Sequence, residues 1–332
     1  MNRCAGWVSV VVAAGAMFAV DSAAADDTQG SRSTSTVRKF RFIYGATIQG
    51  LPAVSRARIW LPLARENQEQ RIEIESIRIP ASYQLLSERK YGNPVLYFES
   101  SPDAQGEIPF EICYRVERRE LRIEHAEPIW SGDEQRFLTA TQLEPADGSL
   151  TEKVFGAERP DGKIDQIARA LYDSVNHRMK YDKPDGQPWG RGDARWACDS
   201  RFGNCTDFHS LFISLCRDRK IPAKFEIGFS LPTARSTEQV RSIAGYHCWA
   251  KFVSEGRWVP VDISEANKDP GMTEYYFGNL TADRISFTTG RDLELDPPPA
   301  AGPVSFLIYP YVEVQGRPHS KIAKSFGFQD LP

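Results

Sequence analysis

The sequence runs to 332 residues, 41% of them hydrophobic, with a formal net charge of −3. That length accommodates one large domain or two ordinary ones, and the apolar fraction supports a sizeable buried core. The nearly balanced charge excludes the electrostatic footprint of a nucleic-acid binder or of a protein held on an anionic membrane surface.

At the N-terminus, Arg3 precedes the apolar run Trp7–Val20, and the small residues Ala23 and Ala25 follow it. A charged start, a short apolar core and an A-x-A-like end are the layout of a secretory signal peptide, with cleavage near Ala25. The run is too short for a membrane span, and no other stretch is apolar enough to try. The expectation is an exported chain, periplasmic or secreted, with residues 1–25 as signal peptide and the polar residues 26–36 as a flexible leader. Cys4 would leave with the signal. Cys113, Cys198, Cys205, Cys216 and Cys248 remain, an odd set in which at least one thiol has no partner within the chain.

From Val37 to about Arg122, short segments alternate apolar and polar residues between Pro, Gly and Asn punctuation, which is the strand signal. Such spacing predicts an all-β, sandwich-like N-terminal domain over 37–145. Within it, Ile72 and Ile74 switch parity with Ile77 and Ile79, which places a bulge at Ser76. Cys113, between Ile112 and Tyr114, reads as a small core hydrophobe. The domain carries no constellation of catalytic residues. The second region, 146–332, opens with helical spacing at Ile164, Ile167, Ala168, Leu171 and Val175 and ends in strands, an α+β order.

The segment "GNCTDFHSLFISLCRDRKIPA", Gly203 to Ala223, predicts a helix with Asn204 as N-cap and Asp207 in a capping-box position. Phe208, Leu211, Phe212, Leu215 and Cys216 form its buried face, and Pro222 stops it. Cys205 then falls at the first helical position, where unpaired N–H groups and the helix dipole favour a thiolate. Cys205 and His209 lack the second ligand pair of a metal site, so no metal is assigned. Cys216 reads as core and His209 as a hydrogen-bonded helix histidine.

Downstream, "GYHCWAKFVSEGRWVPVDISEA" predicts two strands around a Glu255-Gly256 turn. Pairing Ser254 with Arg257 places Trp249 opposite Asp262 and puts His247, Trp249 and Asp262 on one face, with Cys248 on the other. A low-pKa thiol, an imidazole and a carboxylate are the nucleophile, base and orienting group of thiol acyl transfer. The candidate catalytic residues are therefore Cys205, His247 and Asp262. Tyr246 and Asn204 flank them, Trp249 and Trp258 share their face, and Arg284, Arg291 and Asp292 read as structural ion-pair residues. The second oxyanion donor is unassigned, with Trp189 and Gln187 as weak candidates.

The Gly203-x-Cys205 helix start, then "GYHCWAKF" with His247, then "GRWVPVDIS" with Asp262, in this order, resemble the transglutaminase-like superfamily of cysteine enzymes, and Lys163 to Val314 carries the resemblance. Lys220-Ile221-Pro222 stands where Gly-Ile-Pro is commoner. The resemblance implies a papain-like core, with the Cys helix packed on an antiparallel sheet that carries His and Asp, and a thioester acyl-enzyme formed without metal or organic cofactor. It implies an exported hydrolase acting on a protein or peptide; the expected compartment alone adds cell-wall peptide as one possible substrate. A protein-glutamine acyltransferase with the same triad, and a binding or assembly protein that keeps the fold without turnover, are the alternatives.

Overall fold

Period-two alternation governs the first strands. In β1 (Val37–Ile48) the side chains of Phe40, Phe42, Tyr44, Ala46 and Ile48 are buried and those between them face outward or sit at the rim. A computed structural model describes residues 36–126 and 133–332. The apolar run Trp7–Val20, the cleavage position near Ala25 and the leader as far as residue 35 lie outside the described residues. Residues Ser35–Pro332 form one compact unit.

After β1 come β2 (Ala57–Pro62), β3 (Gln70–Arg78), β4 (Tyr83–Ser87), β5 (Pro94–Ser100), β6 (Ile108–Arg119) and the short β7 (Leu121–Arg122). Helices α1 (Ser149–Phe155) and α2 (Ile164–Arg178), strand β8 (Lys180–Tyr181), helix α3 (Ala194–Ser200) and strand β9 (Phe202–Gly203) lead to α4 (Cys205–Asp218). Then follow β10 (Ala223–Ser230), β11 (Arg241–Ile243), β12 (His247–Ser254), β13 (Arg257–Val261), α5 (Ile263–Lys268), β14 (Asn279–Leu280), β15 (Arg284–Thr289), β16 (Tyr311–Val314), β17 (Arg317–Pro318) and β18 (Ile322–Asp330). The class is α+β, mostly antiparallel, with a papain-like core: α4 packed against a four-stranded antiparallel sheet of order β13-β12-β10-β15.

The β-rich part consists of two five-stranded sheets, β11-β18-β1-β6-β3 and β17-β16-β2-β5-β4. Strands from the C-terminal end therefore complete both: β18 pairs with β1 from Phe40↔Asp330 to Ile48↔Ile322, and β16 pairs with β2. The sandwich thus draws on both ends of the chain, a connection that strand pattern alone does not contain. The bulge at β3 is present, as a register shift between Ile74 and Ser76 against β6. Cys113 corrects its expectation. Ile112 and Tyr114 point into the core, so by alternation Cys113 lies on the outward face, half-exposed, beside Glu111.

The inner face of the first sheet meets the second through Phe110 and Phe98, whose rings lie 6.2 Å apart. It meets the four-stranded sheet through Phe42, Tyr44 and Tyr114 against Phe229 and Phe287, with centroids 5.1–6.4 Å apart. One continuous apolar core results. It gives the four-stranded sheet a rigid floor, which is what a preorganised site requires.

Candidate active site

The start of α4 is fixed by two side chains. Asn204 accepts from the Thr206 N–H at 2.9 Å, and Asp207 reaches back to the Asn204 N–H at 2.9 Å, completing the capping box. Asp207 also accepts from the N–H groups of Gly190 and Gly192, at 2.9 and 2.8 Å, and so pins the upstream loop against the helix start. Gly203 is required here, because a Cβ at that position would lie 2.5 Å from Asp207. Cys205 is the first residue of the helix and 2% exposed.

The hairpin forms as predicted: Ser254 pairs with Arg257, and Glu255 and Gly256 both take positive φ, at 47° and 69°, the signature of a tight primed turn. The register continues to Ala250↔Val261, which brings Asp262 beside His247 at the end of β13. Asp262 serves also as N-cap of α5, accepting the Glu265 N–H at 3.2 Å. The His247 Nε2 lies 2.7 Å from Asp262 Oδ2. With Nε2 so engaged, Nδ1 is the nitrogen left for the hydrogen bond between His247 and the Cys205 thiol. The structure thus brings together all three residues that the sequence singled out.

Their charges support one another. Burial pushes the Cys205 thiol up, but hydrogen bonds from Cys248 and His247 and the imidazolium charge outweigh it, bringing it down to about 5. Burial pushes His247 down, but the charge and hydrogen bond of Asp262, with the bond to Cys205, raise it to about 10. Burial disfavours the Asp262 carboxylate too, yet His247, Arg284 and the other donors hold it well below the usual carboxylate range. A thiolate–imidazolium pair beside a fixed carboxylate is the state these environments favour at neutral pH.

Arg284 is an ion-pair residue whose partner is Asp262: its Nη1 donates to Oδ2 at 3.1 Å, and its guanidinium lies 4.9 Å from the Trp249 ring. Trp249 is buried beside His247, with centroids 6.2 Å apart, and donates to Glu226 at 2.8 Å. Trp258 packs instead on Phe137 and Lys224. Tyr246 accepts from Asn204 at the rim. The Trp189 indole N–H donates to the Asp182 carbonyl at 2.7 Å, so it is not a waiting oxyanion donor. Arg291 bonds Ser210 and Glu144, and Asp292 accepts from the Gln142 N–H. Cys216 is buried core, as expected.

His247, Asp262 and Glu265 place three ligand atoms close enough together to hold a metal ion. Arg284 on Asp262 and Lys268 on Glu265 already neutralise the two carboxylates, which opposes a divalent cation there. Sequence reasoning missed Cys248. It is buried on the other face of β12, as parity required, and its sulfur lies 3.6 Å from His209 Nδ1 on α4.

A thiol at a helix start, facing an imidazole and a carboxylate on an antiparallel sheet, defines the class of papain-like cysteine enzymes. Residues 149–263 match the model of the transglutaminase-like superfamily. A relative from Haemophilus influenzae, an uncharacterized protein, is 27% identical over 307 aligned residues, covering 78% of this chain and 81% of its own. The fold is similar to that of a candidate cysteine protease from Cytophaga hutchinsonii, with a TM-score of 0.56, 17% identity, and 89% of this chain and 99% of that one covered. The periplasmic domain of TgpA from Pseudomonas aeruginosa aligns with a TM-score of 0.35 and 17% identity, over 71% of this chain and 90% of that one. Among the described residues, no helix is long and apolar enough to cross a membrane.

Proposed function

We propose that the protein is an exported cysteine hydrolase that cleaves peptide or amide bonds through Cys205, His247 and Asp262 by way of a thioester acyl-enzyme. The observation that carries this reading is the buried contact of 2.7 Å between His247 Nε2 and Asp262 Oδ2, beside a thiol at the start of α4 that the His247 ring makes more acidic. The Cys205 thiolate attacks the substrate carbonyl carbon and a C–S bond forms. Backbone N–H groups at the start of α4 face the developing oxyanion. Imidazolium His247 gives its Nδ1 proton to the leaving amine as the C–N bond breaks. Water then attacks the thioester, His247 takes its proton, and the acid leaves as the thiolate returns. Asp262 holds the ring and stabilises its charged form throughout.

The acceptor is taken to be water, in keeping with the candidate cysteine protease whose fold this chain shares. Export rests on the layout of residues 1–25, and the substrate would be a protein or peptide, cell-wall peptide among them. Incubation with a glutamine-containing peptide, with and without a primary amine, followed by weighing of the products, tests the reading. Hydrolysed peptide in both arms supports it, whereas amine-adducted peptide as the main product makes the protein an acyltransferase. If Cys205 reacts with iodoacetamide at neutral pH no faster than an ordinary thiol, and Cys205→Ala keeps the biological role, the enzyme reading fails and a binding role replaces it.

A further inference from the structure

Cys205, His247 and Asp262 stand on three separate elements: the start of α4, the start of β12 and the N-cap of α5. One buried side chain outside the three ties these elements together. His209, one turn along α4 from Cys205, is fully buried. Its Nε2 accepts the Ile263 N–H at 3.1 Å, and its Nδ1 lies 3.6 Å from the Cys248 sulfur. Ile263 follows Asp262 in the chain, and Cys248 follows His247. A single imidazole on the helix of Cys205 therefore grips the residue next to each of the other two.

The tie at Ile263 is the more directional. Ile263 is the first residue of α5, and its N–H is one of the donors that a helix start leaves without an intrahelical partner. The Asp262 carboxylate caps the Glu265 N–H instead, which leaves the Ile263 N–H to His209. The nitrogen of Ile263 is bonded to the Asp262 carbonyl carbon, and the Asp262 N–H donates to the Tyr276 carbonyl at 3.1 Å. The Asp262 backbone is thus anchored on both sides. To accept at Nε2 the ring must be neutral with its proton on Nδ1, where it faces the Cys248 sulfur. His209 Nε2 also lies 3.9 Å from Asp262 Oδ1, an oxygen already held by the Ser264 hydroxyl and the Glu265 N–H. A charged ring would turn an Nε2–H against the Ile263 N–H. Burial lowers His209 to about 4 and keeps it neutral. The charged and titratable groups around it are Asp262 at the start of α5, His247 and Cys248 on β12, Arg284 on β15 and Cys205 on its own helix.

We propose that His209 is a positioning residue of the same reaction centre, whose Nε2 bond to the Ile263 N–H holds Asp262, and through it the His247 ring, in place relative to Cys205. The inference rests on the roles given to those three residues under the proposed function. Without the bond, Asp262 is free to shift from His247 Nε2, the imidazolium loses support, and the Cys205 thiolate loses its counter-charge.

The test is the pH profile of iodoacetamide alkylation at Cys205 in the full chain, read by peptide mass mapping for the unsubstituted protein, His209→Leu and His209→Gln. Leu fills the space without an acceptor, whereas Gln carries a side-chain oxygen that can take the same N–H. The acid midpoint, about 5 in the unsubstituted protein, is expected to rise by about one unit in His209→Leu, which slows alkylation at pH 5.5 about threefold. His209→Gln is expected to keep the original midpoint. A folded His209→Leu protein whose urea midpoint falls while its alkylation profile stays unchanged overturns the proposal, because a side chain that only fills the core behaves in that way. Equal shifts in both variants also overturn it. Should His209→Leu fail to fold, nitrogen NMR of the unsubstituted protein decides: the Ile263 amide should couple across the hydrogen bond to an unprotonated His209 Nε2, and a ring protonated at Nε2 overturns the proposal. If Cys205 in the unsubstituted protein behaves as an ordinary thiol, the functional reading fails and this inference with it, an outcome visible before any change at His209.

Discussion

Asp262 does three things with one carboxylate. Oδ2 takes the His247 and Arg284 donors, and Oδ1 takes the Ser264 hydroxyl at 3.1 Å and the Glu265 N–H. Asp262→Asn separates these roles, because Asn caps a helix about as well as Asp but carries no charge. After burial, the Asp262 charge is the largest influence on His247. Without it the imidazolium loses its support, and activity at pH 8 is expected to fall by a factor on the order of 10²–10⁴, while the melting temperature also falls because buried Arg284 loses its charge partner. Under the proposed mechanism, the competent form of the unsubstituted protein is thiolate with imidazolium. It is lost in acid as Cys205 protonates, near about 5, and in base as His247 deprotonates, near about 10. The kcat/KM profile should therefore be broad and bell-shaped between those limits, and Asp262→Asn should pull in its alkaline limb. An alkaline limb unchanged in Asp262→Asn would remove Asp262 from the role.

At the scale of elements, the β12–β13 hairpin and its neighbour β10 set the geometry. Glu255 sits at a positive φ that costs a side chain other than Asn, Asp or Gly. Glu255→Asn is expected to raise stability by about 0.5 kcal/mol, read as a shift in urea midpoint. Gly228 lies opposite His247 in the β10–β12 ladder, and a Cβ there would come 1.8 Å from the Ile285 carbonyl oxygen on β15. Gly228→Ala must push β15 away, with a loss of about 3 kcal/mol. Displacement of β15 also moves Arg284 off Asp262, so activity should fall further than stability alone explains.

These elements also mark what the sequence could disclose. The hairpin parity and the capped start of α4 are local, and they placed Cys205, His247 and Asp262 correctly from residue spacing. Parity likewise placed Cys248 on the far face of β12. It could not tell that α4 packs on that same face, so the approach of Cys248 to His209 was invisible. Arg284 finds Asp262 only because β15 lies beside β10, an order of strands that periodicity does not encode. Cys113 shows the converse: the alternation was in plain sight, and ordinary cysteine burial misled where strand parity would have been the better guide.

At the scale of the whole molecule, Arg38 joins distant parts of the chain. From β1 it forms a two-pronged pair with Asp330 at the end of β18, at 2.7 and 3.0 Å. Its remaining donor reaches Asp283, immediately before β15, and the Pro232 carbonyl after β10. Farther along β18, Phe326 packs among Tyr44, Phe229 and Tyr309 with centroids 4.6–5.8 Å away. The sandwich, the chain end and the four-stranded sheet therefore share one buried junction. Removing one member of a buried charge pair costs about 3–5 kcal/mol, so Asp330→Ala should lower the denaturant midpoint sharply. The stronger test is division of the chain. A fragment of residues 146–332 contains every candidate catalytic residue, yet it lacks β1, β2 and the core face made by Phe42, Tyr44 and Tyr114. Its strands β16 and β18 would present unpaired edges and bare aromatic rings, an aggregation hazard. It is expected to be insoluble when expressed alone and to become soluble and reactive at Cys205 when co-expressed with residues 37–145. A soluble, reactive fragment by itself would mean that the catalytic region is an independent domain and that the shared junction adds stability without being required for folding.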